Sequence, residues 1–275
     1  MRHYPLMILL VINALILVAC GGDDPQVSED DITIDDGQSF SVDFDAEDSF
    51  ETGTFDSEGE LSISNGEYIV TSNNPSGNTY LWGDSLSGDY PQWKNVAIEV
   101  EAHATDGSDD NWYGILCRVN EQGAGYAFLL SSDGYWGIAR SDGSSLFFLE
   151  NWSQSEAIKQ GDETNQIRAF CLDNYLALYV NGDFVGDHEH DEENRQIDRV
   201  GGVGLLAGGT EGDVVQVAFD NLIVRSAALE DVPNTPAPPT VTSEPLPTVE
   251  MEQLPTLDLA PLGEETPEAT ETESE

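Results

Sequence analysis

Between residues 39 and 227 the hydrophobic pattern has a period of two, and this constrains the chain more than any other feature. Val96, Ile98, Val100 and Ala102 alternate with Ala97, Glu99 and Glu101, and Ile115, Cys117 and Val119 alternate with Leu116 and Arg118. Ile167, Ala169 and Cys171 alternate with Arg168 and Phe170, while Leu176, Leu178 and Val180 alternate with Tyr175, Ala177 and Tyr179. Successive side chains of a strand point to opposite faces, so each run reads as a strand with one buried and one wet face. Between the runs stand Asn65-Gly66, Asp133-Gly134, Asp142-Gly143 and Asn181-Gly182. Such dipeptides reach positive φ at low cost and close tight turns. No stretch sustains a long amphipathic helix; residues 153–160 offer one short turn. Many strands joined by Gly and Asn turns predict an all-β fold, two packed antiparallel sheets in a sandwich or jelly roll. The region, about 190 residues, is long enough to enclose one well-buried core.

The flanks read differently. The chain has 275 residues with 53 Asp and Glu against 9 Lys and Arg, a formal charge of −44. Residues 21–38 hold seven acids and no Lys or Arg, and predict a flexible acidic tether. Residues 228–275 hold twelve acids, nine of the thirteen prolines and no aromatic residue. That segment buries too little apolar surface to offset its ordering entropy and predicts a disordered Pro/Thr/Glu-rich tail. The charge argues against nucleic acid, whose phosphates need Lys and Arg to displace counterions, and against close contact with anionic lipid headgroups. Calcium, cationic ligands and neutral sugars stay permitted.

The N-terminus supplies an address. Met1-Arg2-His3 is a short basic start, Pro5 to Ala19 is apolar apart from Asn13, and the run ends in Leu17-Val18-Ala19-Cys20. This junction resembles the lipobox of bacterial lipoproteins, which implies a signal peptide over 1–19 and lipidation of Cys20. The run falls short of the roughly 20 residues a spanning helix needs, though an uncleaved anchor is the alternative. Either way the remainder is extracytoplasmic, lipid-anchored to the cell envelope on the first reading. With Cys20 given to lipid, Cys117 and Cys171 are left for a disulfide in an oxidising compartment, or for two unpaired buried thiols.

The series Gly114-Ile-Leu-Cys-Arg118, Tyr126-Ala-Phe-Leu-Leu130, Asp133-Gly134-Tyr135, Asn165-Gln-Ile-Arg168, Leu176-Ala-Leu-Tyr-Val-Asn-Gly182, Gly202-Val-Gly-Leu205 and Phe219-Asp-Asn-Leu-Ile-Val224 resembles concanavalin-type (laminin-G-like) jelly rolls. It is similar to the domain of many secreted bacterial proteins and to 3-keto-disaccharide hydrolase-like domains, over about residues 39–226. The resemblance implies the fold; lectins, enzymes and adhesion modules all use it.

Several residues could carry function on such a scaffold. Glu99 and Glu101 share a strand face with Cα atoms roughly 6.5–7 Å apart, within reach of a glycosidase pair, while cross-strand ion pairing with Arg118 or Arg168 is the simpler account. Trp82, Trp93 and Trp112 adjoin the Gly/Asn/Ser-rich loops 72–93 and 106–111, where indoles could stack on sugar rings or fill the core. Mid-strand Arg118 and Arg168 could fork onto hydroxyls or a carboxylate. Asp106 and Asp110 in the loop Asp106–Asn111, and Asp220, offer oxygen ligands to calcium without EF-hand spacing. His188 and His190 sit in a highly charged stretch and lack an evident third metal ligand. The leading expectation is a surface-anchored, non-catalytic module binding a glycan or a cell-surface protein. The alternatives are a sugar-active hydrolase using Glu99 and Glu101, and a structural envelope spacer.

Overall fold

Each of the four turn dipeptides closes a hairpin in the computed structural model of the chain, which describes residues 27–45, 50–73, 79–85, 90–190, 197, 199–210 and 212–230. The expected signal peptide, Cys20 and the tail beyond residue 230 lie outside the described residues. Asn65-Gly66 joins β3 (Gly59–Ser64) to β4 (Glu67–Ser72), and Asn181-Gly182 joins β12 (Tyr175–Val180) to β13 (Asp183–Glu189). In both dipeptides both residues have positive φ, as a two-residue turn matching strand twist requires. At Asp133-Gly134 and Asp142-Gly143 only the glycine does. These turns join β8 (Ala124–Leu130), β9 (Tyr135–Asp142) and β10 (Leu146–Gln154) in succession.

The other strands are β1 (Ile32–Val42), β2 (Gly53–Phe55), β5 (Thr79–Asp84), β6 (Val96–Asp106), β7 (Asn111–Val119), β11 (Asn165–Leu172), β14 (Gly202–Gly209) and β15 (Val215–Leu229). They form two antiparallel sheets. The smaller runs β10-β9-β8-β7-β14-β5, and the larger runs β13-β12-β11-β6-β15-β4-β3-β2 with β1 also on β15. Late strands therefore enter the middle of each sheet: β14 separates β7 from β5, and β15 separates β6 from β4. Long β15 pairs with β4 through Val215–Phe219 and with β1 through Leu222–Leu229.

The core fills the space between the sheets. Ile98, Val100, Ile167, Leu178 and Phe219 of the larger sheet face Tyr113, Ile115, Phe128, Ile138 and Leu205 of the smaller. Cys117 of β7 and Cys171 of β11 are joined by a disulfide, so the bridge crosses from one sheet to the other through this core.

Three expectations need correction. β1 begins at Ile32, inside the acidic stretch expected as a tether. Val27 and Ile32 pack on Phe170, Tyr175 and Tyr179 on the larger sheet's outer face, and Asp35 Oδ1 accepts from Gly37 N at 2.8 Å where the strand bulges. Strands β7 and β12 have no wet face, because further side chains cover Leu116, Ala177 and Tyr179 from outside. Residues 153 and 154 finish β10, and the turn after it forms no helix.

Candidate functional site

The outer face of the smaller sheet carries a second apolar layer. Alternation sends Trp112 and Leu116 of β7, Ala127 and Leu129 of β8, Ala139 of β9 and Leu206 of β14 away from the main core, where Tyr80, Trp82 and Leu146 join them. Two glycines set how the indoles lie. A Cβ on Gly208 would meet Trp112 Nε1 at 2.4 Å, and one on Gly123, at φ +76°, would meet the Trp82 ring at 2.6 Å. The Trp112 and Trp82 indoles thus lie against the bare backbone of Gly208 and Gly123.

Above this layer lies a trough of adjoining cavities. One of about 490 Å³ is walled by Trp112, Leu146, Phe148 and Trp152, with Thr79, Ser144 and Ser145 supplying hydroxyls. A second of about 400 Å³ shares Trp112 and Trp152 and adds Tyr135, Asn111, Asp110 and Asp133. A third of about 160 Å³ shares Thr79 and Ser144 with the first and reaches Tyr80, Trp82 and Glu58. Phe148 and Trp152 stand at the rim, 36% and 37% exposed, with ring centroids 5.3 Å apart.

Hydrogen bonds hold the polar wall in place. Buried Asn111 donates through Nδ2 to Ser108 O at 2.7 Å and to Ser132 Oγ at 3.0 Å. Ser131 Oγ donates to Asp133 Oδ1 at 2.5 Å. Tyr80 and Ser141 hydroxyls meet at 2.7 Å, and burial pushes the Tyr80 phenol above its ordinary pKa. The backbone N–H groups of Ser144 and Ser145 donate to Asp142 Oδ1 and hold its carboxyl below the usual range. Among the described residues, Trp112 Nε1 and Thr79 Oγ1 are buried with no hydrogen-bond partner.

The residues singled out in the sequence scatter over this geometry. Trp112 and Trp82 line the trough. Trp93, 2% exposed, belongs to the main core beside Phe40. Arg118, expected on a ligand-facing strand face, is fully buried. Its Nε donates to Lys94 O at 2.6 Å and its Nη1 to Asp173 O and Ile197 O, both at 2.9 Å. Arg168 lies on the larger sheet's outer face, paired with Glu29 at 2.6 Å and stacked over the Tyr179 and Phe170 rings.

Glu99 and Glu101 occupy that same outer face, on the opposite side of the sandwich from the trough. Glu99 pairs with Arg225 at 3.1 Å, and Glu101 accepts from Asn221 Nδ2 at 3.2 Å. Asp110 lines the second cavity, whereas Asp106 caps Gly107 N and Asp220 stands opposite Glu101 on β15. The three aspartates are not brought together, and among the described residues no group of three or more His, Cys, Asp or Glu is placed to hold a metal. His188 Nδ1 meets Glu150 Oε1 at 2.7 Å. His190 is buried against Tyr126, and desolvation by burial, with the nearby His188 and Arg118, lowers its pKa to about 4.

Sequence reasoning missed Phe148, Trp152, Tyr80 and Tyr135. A signal was present: β10 reads Leu-Phe-Phe-Leu-Glu-Asn-Trp, three aromatics directly after a tight turn.

No protein-family model matches the chain, and no curated protein matches its sequence. Solved structures do resemble its architecture. A carbohydrate-binding module from Bacillus subtilis is 12% identical with a TM-score of 0.43, covering 66% of this chain and 94% of that one. A prokaryotic lichenase derived from a mouse hindgut metagenome is 9% identical with a TM-score of 0.49, covering 69% and 99%. A beta-glucanase of Bacillus licheniformis is 11% identical with a TM-score of 0.49, covering 70% and 99%. The domain is an all-β sandwich of two antiparallel sheets. At such identities the likeness concerns fold alone, and function has to be argued from the trough.

Proposed function

We propose that this domain is a non-catalytic module that holds a glycan chain in the trough, displayed outside the cytoplasm through lipid on Cys20. The observation that carries the reading is the trough itself, a concave surface with indole and phenyl walls and hydroxyl or amide groups between them. Aromatic faces stack on the apolar faces of sugar rings, and the Ser144 and Ser145 hydroxyls suit sugar hydroxyls. The Cys117–Cys171 disulfide supports an oxidising compartment. Binding is favoured over hydrolysis by Glu99 and Glu101 because both carboxylates lie on the far sheet, engaged with Arg225 and Asn221. A mere spacer has no need of such a trough.

The test is a glycan array probed with the full chain in detergent, with calcium and with chelator, followed by affinities for the best oligosaccharide. Trp112→Ala and Trp152→Ala should each weaken binding about ten-fold, the order expected for losing one stacked ring in a desolvated site. Glu99→Gln should leave it unchanged. A blank array, or full affinity in both tryptophan variants, rejects the reading. For the anchor, Cys20→Ser should abolish incorporation of labelled fatty acid; undiminished labelling refutes lipidation there.

A further inference from the structure

We infer that the trough selects amine-bearing glycans, with the Asp110 and Asp133 end taking an ammonium group; this rests on the glycan-binding reading above. The second cavity, of about 400 Å³, combines two carboxylates, Asp110 and Asp133, with the rings of Trp112, Tyr135 and Trp152. That is the chemistry of ammonium recognition, since a cation is attracted both by carboxylate oxygens and by the faces of aromatic rings. Glu58 adds a carboxylate at the far end, and the described lining of the trough includes no Lys, Arg or His. An anionic sugar such as a uronate would meet uncompensated negative charge on entering.

The placement is firm. Ser131 Oγ holds one oxygen of Asp133 at 2.5 Å, and Asn111 clamps the loop that carries Asp110 to Ser132. Trp112 walls this cavity with its ring, while its Nε1 lies against Gly208, where a Cβ would meet it at 2.4 Å, so the ring and not the N–H is offered to a cation.

The experiment titrates the full chain in detergent with a glucosamine oligomer, its fully N-acetylated counterpart of equal length and an oligouronate, by calorimetry at about 150 mM salt. At that ionic strength the Debye length is about 8 Å, so attraction of cations to the chain's overall negative charge is largely screened. The glucosamine oligomer should bind at least about ten-fold tighter than the acetylated one, and the uronate weakest. The pair Asp110→Asn and Asp133→Asn should erase the preference while leaving the acetylated oligomer bound. Asp183→Asn, an exposed site on β13 of the other sheet, should preserve it. If the double variant unfolds, Asp110→Asn alone, at an exposed position, should reduce the preference.

Equal binding of the amine and acetylated forms overturns the inference, as does a preference that survives in the double variant. Displacement of the oligomer by choline alone at equal affinity also overturns it, giving the cavity to a small cation. Failure of all three oligosaccharides to bind overturns the inference, and only a blank glycan array besides overturns the glycan reading itself.

Discussion

Arg118→Lys should destabilise the domain by about 3–6 kcal/mol and leave ligand affinity of the folded protein unchanged. The wild-type guanidinium is fully buried and donates to three backbone carbonyls, those of Lys94, Asp173 and Ile197, from separate loops. Hydrogen bonds to a charged group are worth about 1.5–3 kcal/mol each, and a buried acceptor left unpaired costs about as much. Lysine keeps the charge but has no planar fork, so it cannot serve divergent acceptors together; losing two of the three gives the stated range. For a domain of this size the midpoint of thermal unfolding should fall by about 6–24 °C. Urea unfolding followed by tryptophan fluorescence, with the disulfide intact, reads the loss directly as a lower midpoint at unchanged slope. A variant within 1 kcal/mol of wild type refutes the structural role, and a selective loss of glycan affinity at full stability restores Arg118 as a ligand contact.

Three further outcomes follow from the same geometry. Replacing Cys117 and Cys171 by alanine opens a loop of 54 residues and should cost about 4 kcal/mol in urea unfolding, the loop-entropy value; equal stability with and without the bridge refutes it. Asn165→Ala should cost about 2–4 kcal/mol, since Asn165 donates to Lys159 O at 2.9 Å and accepts from Asn181 Nδ2 at 2.8 Å, pinning the loop after β10. A thermal midpoint equal to wild type would count against that pin. His190 has a folded pKa of about 4 against an ordinary value near 6.5, so the unfolded chain takes up its proton first as pH falls. Its neutral burial therefore costs nothing above pH 6.5, and stability is lost progressively from there to pH 4, by at most about 3 kcal/mol. His190→Gln should flatten that part of the pH–stability curve relative to wild type, and parallel curves would refute it.

The strands were legible because period two survives wherever one face of a strand meets the core. β6 obeys it throughout: Val96, Ile98, Val100 and Ala102 face inward, while Glu99 and Glu101 face out. The four turn dipeptides were legible for the same local reason, since positive φ is a property of the residue type more than of its surroundings. The start of β1 was not legible. Seven acids mark residues 21–38 as solvated, yet an edge strand needs only a few apolar anchors, and Val27 and Ile32 find theirs on rings contributed by β11 and β12. Those partners lie far along the chain, beyond the reach of a local pattern.

Alternation assigns a side chain to a face of its own strand, but not that strand to a sheet, and the candidate site turned on this difference. Glu99, Arg118 and Arg168 each read as outward on their strands. Register does set Arg168 opposite Glu99, on β11 and β6. Arg118, however, belongs to β7 in the other sheet, and there the period fails. Val119 pairs with Gly202 and Cys117 with Val203, so Arg118 is the extra residue of a bulge, at φ +53°. A bulge re-aims its side chain, here into the interior under three carbonyls. Gly201 permits it, because a Cβ there would stand 2.4 Å from the Arg118 carbonyl carbon. On β10, Phe148 and Trp152 stand four residues apart across two irregularities and share the trough wall. A reading by periodicity thus finds the faces of each strand, while which strands stand side by side to form the trough is set by pairings far along the chain.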